Sequence, residues 1–336
     1  MKMASVALWF FSVLSVFSVT IGIAASAAAA QSTSTSSGQA YPTKPIRIIA
    51  STTPGSGPDI MSRLIGQKLT EAWGQQIVVD NRAGGSGIIG TEIAARAAPD
   101  GYTLLMLTSS HVIVAALFQK LNYDLVRDFT PISLLASTPF ILTVHPSVPA
   151  ASVKELIALA KSRPGELHYG SGGPGTPPHL ATEILKTMTG VDLFHVPYKG
   201  ITPALIDTVA GQVQMTIAVV PAVLPFLKTG KLKALGVTST KRTPLAPEVP
   251  TIAETVPGYE VIGWYSLVAP AKTPENIISR LNTEVVRALK TPEIQQRISG
   301  LGAEPIGSTP RELGAYMRAE IDKLQKAVKA ANLRRE

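Results

Sequence analysis

The chain has 336 residues, 31 lysines and arginines against 23 aspartates and glutamates, and no cysteine. The missing cysteines exclude a disulfide framework, a lipoprotein attachment site and a zinc–thiolate centre. The positive surplus is scattered and not interleaved with aromatics, so it does not describe a nucleic-acid surface.

The N-terminus carries Lys2, an uncharged run from Met3 to Ala30, and the small-residue stretch ASAAAA at 25–30. This reads as a secretory signal peptide over 1–30, cleaved near Ala30, with a retained membrane anchor as the alternative. No twin arginine precedes the apolar run, which favours export of an unfolded chain. Residues 31–40, opening QSTSTSSGQ, form a polar tether expected to be disordered. The chain from Tyr41 onward is long enough for two domains and for a core that needs no covalent staples.

Strands and helices then alternate. PIRIIAS (45–51), QIVVDN (76–81) and YTLLMLT (102–108) are β-branched, apolar runs, each followed by a glycine or serine turn and a helical pattern, as in parallel βαβ units. The rhythm continues through a strand PFILTVHP (139–146), a helix from Ser152 opened by the capping box Ser152-Val153-Lys154-Glu155, the strand LHYGS, a helix after Pro178, the strand VDLFHVPY, a helix around Ala204 to Val209, and the strand VQMTIAVV. Thr273-Pro274-Glu275 and Thr309-Pro310-Arg311-Glu312 each place a hydroxyl before a proline and open two long helices. In the second, Leu313, Met317, Ile321, Leu324 and Val328 form one apolar stripe. Between these segments, Lys228, Lys231, Lys233, Lys241 and Arg242 read as a solvated basic face, whose field modestly favours arriving anions.

The chemistry-bearing motifs are few. HYGSGGPGTPPHL (168–180) is a glycine-rich turn before a helix, a common anion cradle, but it lacks the lysine of a P-loop. GSGIIG (85–90) has the letters of a dinucleotide fingerprint, yet the next strand ends in Thr108, Ser109 and Ser110 where an acid is wanted, so it reads as a tight strand-to-helix turn. No GxSxG elbow occurs, and the five histidines, His111, His145, His168, His179 and His195, form no metal-ligand pair and read as structural or loop residues. What recurs is position. TTPGSGPD (52–59), TSS (108–110), GSGGPGT (170–176) and VPYKG (196–200) all follow strands and precede helices, so they gather at the carboxyl edge of a parallel sheet. Two such edges facing each other surround an anion with N–H groups and hydroxyls; each helix end contributes about 0.3 to 1 kcal/mol when exposed and up to about 2 when partly buried.

The segments YPTKPIRIIASTTPGSGPDIMSRLIGQKL, VVDNRAGGSGIIGTEIAARAAPDGYTLL, HYGSGGPGTPPHLATEIL, VDLFHVPYKGITPALIDTVAGQVQM, GKLKALGVTSTKRTP and GWYSLVAPAKTP, in this order, resemble the tripartite tricarboxylate transporter substrate-binding proteins, also called the Bug family. The resemblance runs from about Tyr41 to the C-terminus. It implies an α/β, two-lobe periplasmic binding protein of type II, each lobe a sheet flanked by helices with the ligand cleft between them. Lobe 1 would comprise 41–137 and 262–336, and lobe 2 residues 138–261. It further implies a non-enzymatic monomer, with no cofactor and no metal, that captures a small organic carboxylate and hands it to a membrane permease pair. The alternatives are an exported hydrolase, an NAD-binding sensor domain, and a ligand sensor without a transport role.

By position, the resemblance makes Pro54, Gly55, Ser56 and Gly57 the carboxylate turn of the first lobe, with Ser109 and Ser110 beside it. Ser171, Gly172, Gly173, Thr176, Tyr198 and Lys199 would come from the second. Ser56 stands where many relatives have glycine and adds a hydroxyl. Ala218, followed by Val219, stands where many carry an acid able to hold a substrate ammonium, which disfavours an amino acid and favours a dicarboxylate with an apolar or aromatic body. A Ser171→Asp charge is expected to abolish binding while leaving the empty protein's stability unchanged.

Overall fold

The computed structural model describes residues 41–118 and 120–330; the expected signal peptide and tether lie outside the described residues. No described helix is long and apolar enough to cross a membrane.

The first half begins with β1 (Ile46–Ala50), α1 (Gly57–Trp73), β2 (Ile77–Asn81), α2 (Ile88–Ala95), β3 (Thr103–Thr108) and α3 (Ser109–Leu117). β1 is apolar and almost wholly buried because it lies between two parallel neighbours, with Ile48 opposite both Val79 of β2 and Leu104 of β3. The parallel pairing forces helical crossovers, and it brings Ala50, Asn81 and Thr108 to one edge of the sheet.

The chain continues through β4 (Phe129–Val144), α4 (Val153–Ser162), β5 (His168–Ser171), α5 (Pro177–Thr189), β6 (Phe194–Pro197), α6 (Ile201–Val209), β7 (Met215–Val219), α7 (Val220–Lys228) and β8 (Lys233–Val237). It returns with β9 (Ile262–Pro270), α8 (Glu275–Leu289), α9 (Pro292–Gly300), β10 (Glu304–Pro305) and α10 (Pro310–Ala330). The strand order is β2-β1-β3-β9-β4-β7-β5-β6, with β8 and β10 also pairing β4. β4 is shared by both halves of this α/β architecture. Its residues Phe129 to Pro139 pair antiparallel with β9, and Phe140 to Val144 pair with β7.

The strand expected over PFILTVHP is therefore only the second part of a 16-residue strand. Its first part was not evident because Pro131, Ser133, Ser137 and Thr138 interrupt the apolar pattern. The register shifts between Pro131 and Ser133, and again between Leu134 and Ala136, let the strand absorb the proline. One helix start also differs from expectation. Thr273 does not cap α8, because its hydroxyl donates to the Pro270 carbonyl at 2.8 Å and Pro274 occupies the cap position. A further helix, α9, intervenes before α10. Thr309 does cap α10, accepting the Glu312 N–H at 3.3 Å while its own N–H reaches the Glu312 carboxylate at 2.8 Å. Ser152 likewise caps α4 through the Glu155 N–H.

The α10 stripe is buried at Leu313, Met317, Leu324 and Val328 and packs on α3 and β4. Each such side chain contributes about 1.5 to 3 kcal/mol. The surface ion pairs along the same helix contribute about 0 to 1 each, so burial sets its orientation.

Candidate ligand-binding site

The carboxyl edges of the two halves face each other across a cavity of about 340 Å³. Three segments of the first half line it, Ser51–Thr53 with Pro58, Ala83 and Gly84 with Ser86 and Gly87, and Thr108 with Ser110 and His111; Gly172 and Pro174–Thr176 line it from the second. The starts of α1, α2, α3 and α5 all lie in this lining, through Pro58, Gly87, Ser110 and Thr176. Helix starts carry unpaired N–H groups and the positive end of the dipole, so four of them make an anion site. No lysine, arginine, aspartate or glutamate is among the lining residues.

The turn before α1 is fastened from behind. Asp59, buried in the first turn of the helix, accepts the Gly55 N–H at 2.9 Å, the Arg63 Nε–H at 3.2 Å and an Asn81 amide N–H at 3.0 Å. Burial alone would raise its carboxyl, but these donors outweigh it and hold Asp59 below the usual carboxylate range. Asn81 also donates to the Thr52 carbonyl, which ties the end of β2 to the same turn. The Ser56 hydroxyl donates to the Thr53 carbonyl at 2.8 Å and accepts from Thr52 Oγ1 at 2.9 Å.

GSGIIG is the tight strand-to-helix turn that its lone fingerprint implied, and it is also a wall of the cavity. Gly84, Gly85 and Gly87 have φ of 126°, 53° and 93°, and Ser86 itself sits at φ 55°. A serine held in the left-handed region is strain of the kind that collects at ligand sites. At Gly87 the backbone demands glycine and the space does not: a Cβ there would rest in ordinary contact, 3.5 Å from both His111 Nε2 and Ser51 Cβ.

His111, expected from the sequence to be a structural or loop histidine, follows TSS at the same sheet edge and lines the cavity. It is only 6% exposed. Burial lowers its pKa to about 4, so the ring is neutral at physiological pH.

In the second half, Ser171 is fully buried and is not among the residues that line the cavity. Its hydroxyl lies 2.7 Å from His195 Nε2 and accepts the Gly173 N–H at 3.1 Å. His195 stacks on Tyr169 at 4.7 Å and abuts His179 at 4.4 Å, and Tyr169 donates to Glu183 at 2.6 Å. The serine–histidine contact has the spacing of a nucleophile and its base, but the hydroxyl is sealed from any substrate and braces the turn instead.

Of the sequence-derived site residues, Ser110, Gly172 and Thr176 line the cavity. Pro54, Gly55, Ser56 and Gly57 lie beside it, the Gly55 N–H being taken by Asp59 and the Ser56 hydroxyl by its own turn; the neighbours Thr52, Thr53 and Pro58 face inward instead. Ser109 is buried against Ile113, Pro177 and Leu180. Gly173 closes the bond to Ser171. VPYKG backs the glycine turn: a Cβ on Gly173 would meet the Tyr198 carbonyl at 3.3 Å, and the Tyr198 hydroxyl donates to Asp207. Lys199 is exposed, Ala218 is buried in β7 opposite Ile141, and Val219 is half-buried at the end of that strand. Among the described residues no group of three His, Asp or Glu side chains could hold a metal ion.

Residues 61–333 match the pattern of TctC, the tripartite tricarboxylate transporter family receptor. The chain belongs to this family. Its TctC relatives include BugT of Bordetella pertussis, 35% identical over 93% of this chain and 94% of that protein. Among solved TctC-like structures, R. palustris Rpa4515 with adipate is 40% identical, covers 87% of this chain and 98% of its own, and superposes with a TM-score of 0.77. MatC of Rhodopseudomonas palustris, with bound malate, is 32% identical, covers 86% of this chain and 100% of its own, and gives a TM-score of 0.74. The α/β, two-lobe binding-protein architecture is thus common to this TctC receptor and its solved relatives.

Proposed function

We propose that this receptor is a periplasmic solute-binding protein that captures a small organic dicarboxylate and delivers it to the membrane permease of a tripartite tricarboxylate transporter, binding its ligand without turning it over. One observation carries the reading: four helix starts and a set of hydroxyls converge on a small cavity whose lining has no ionised side chain. Such a site compensates anionic charge with fixed dipoles and rejects cations, which would lie desolvated against N–H groups. The adipate and malate held by the two R. palustris relatives support the ligand class.

The lobes are residues 41–137 with 262–336, and 138–261, hinged where β4 and β9 run between them. Closure of the lobes around ligand accounts for a cavity lined from both sides. The protein acts as a monomer in the periplasm after loss of its leader.

Calorimetric titration of the mature protein with linear and aromatic diacids, malate and adipate among them, tests the reading. Selective binding with no product formed is expected. Ester hydrolysis, or binding of NAD in preference to every diacid, would overturn it. X-ray scattering should show a smaller radius of gyration with ligand than without.

A further inference from the structure

His111 presents a polar atom that the protein itself leaves without a partner. Its Nδ1 lies 3.0 Å from the backbone nitrogen of Thr108, and the Thr108 hydroxyl lies 2.9 Å from the same atom. A backbone N–H can only donate, so Nδ1 accepts and carries no proton; the proton of the neutral ring is therefore on Nε2. That Nε2 is buried and has no hydrogen-bond partner among the described residues. It lies against Gly87 on the cavity wall, where Ser51 Cβ stands equally near, while the Ser51 hydroxyl, likewise buried and unpartnered, is turned toward Gly90 of α2.

A buried donor left unpaired is costly, and this one belongs to a residue of the cavity wall, where a ligand can complete it. Here the ring orientation is fixed by Thr108, the space in front is kept open by a glycine in the left-handed region, and three helix starts of the first half surround the spot. A neutral N–H beside a dipole-lined cavity donates to a carboxylate oxygen. It cannot serve an ammonium.

We propose that the Nε2–H of His111 is the first-half side-chain donor that reads one carboxylate of the ligand, making His111 a specificity-determining residue. The proposal rests on the carboxylate reading above.

The test uses the mature protein and linear dicarboxylates from succinate to suberate. Imidazole ¹⁵N–¹H spectra of the ligand-free protein should show His111 as the Nε2–H tautomer, and saturation with the tightest-binding diacid should shift that Nε2 signal. His111→Phe, which keeps the ring volume but leaves the Thr108 N–H without its acceptor, should lower the affinity at least tenfold. A wild type that binds a diacid with its His111 signals unmoved overturns the proposal and leaves the carboxylate reading standing. So does a His111→Phe variant of undiminished affinity. A wild type that binds none of the series overturns both. The spectra need no variant, so they decide the matter even where His111→Phe fails to fold.

Discussion

The hydroxyl of Ser171 is 2.7 Å from His195 Nε2 and also accepts the Gly173 N–H, so a side chain that never reaches the cavity holds in place the turn that does. Ser171→Ala should cost about 1 to 3 kcal/mol of stability, because it strands two buried polar groups, and should weaken diacid binding by loosening Gly172 to Thr176. Ser171→Asp should be worse still: with no exposed surface at this position the new carboxylate is buried beside Tyr169 and His195, which contradicts the silent effect on stability expected from the sequence. Urea unfolding of both variants checks this; an alanine variant with wild-type midpoint and affinity would refute the brace.

A ligand that spans the cavity with a carboxylate at each end satisfies donors from both halves. Replacing one carboxylate by an amide should lower affinity about five- to 150-fold, the equivalent of about 1 to 3 kcal/mol for donors left unpaired. Equal affinities for adipate and its monoamide in calorimetry would rule out two-ended recognition.

The lining has no acid that could hold an ammonium. Adding an α-amino group to a bound diacid should therefore weaken it at least about tenfold, about 1.4 kcal/mol. Glutarate against glutamate is the direct comparison, and tighter binding of glutamate would refute the prediction.

Gly87→Ala places a methyl group on the cavity wall, in ordinary contact with His111 and Ser51, at a residue whose φ is 93°. The left-handed backbone should cost about 1 to 2 kcal/mol, and the methyl group should shorten the space for the ligand. A fall in both urea midpoint and diacid affinity is expected. Loss of neither would mean that the turn has room to spare.

His111 and His195 are both held down to about 4, by burial first and, for His195, by its neighbour His179, whose own value burial also lowers. In the unfolded chain each would take up a proton below about pH 6.5. The unfolded state thus binds more protons between about pH 6.5 and 4, and stability falls as pH drops through that window. Urea midpoints at pH 7 and pH 5, where carboxylates are still ionised, should differ, with the lower value at pH 5. Identical midpoints would contradict the buried neutral rings.

The βαβ rhythm was legible because IRIIA, IVVDN and TLLMLT are continuous apolar runs set off by turn residues, and the capping signals at Ser152 and Thr309 carry their chemistry within four residues. The first part of β4 was not, since its pairing with β9 joins residues more than a hundred positions apart and tolerates Pro131 through register shifts. The site was half legible. Sequence places TSS, GSGGPGT and VPYKG at one sheet edge, but which of them faces the cavity and which backs it is decided by layers of packing: Tyr198 lies behind Gly173, not in front of it. GSGIIG reads from the sequence as a plain turn and His111 as a structural or loop histidine for the same reason, a lone glycine turn and a lone histidine acquiring meaning only where Gly87 brings them together.

β4 runs unbroken from one half into the other, and β9 is laid along only its first part. The halves are therefore not interchangeable modules. A chimera that exchanged residues 138–261 with those of a relative would have to match the twist of one continuous strand at Pro139, and a gene split there would leave each fragment with an open strand edge seeking a mate. New ligand preferences are more readily acquired by changing the four turns around the cavity than by trading lobes, because the turns hang from a spine that tolerates no splice.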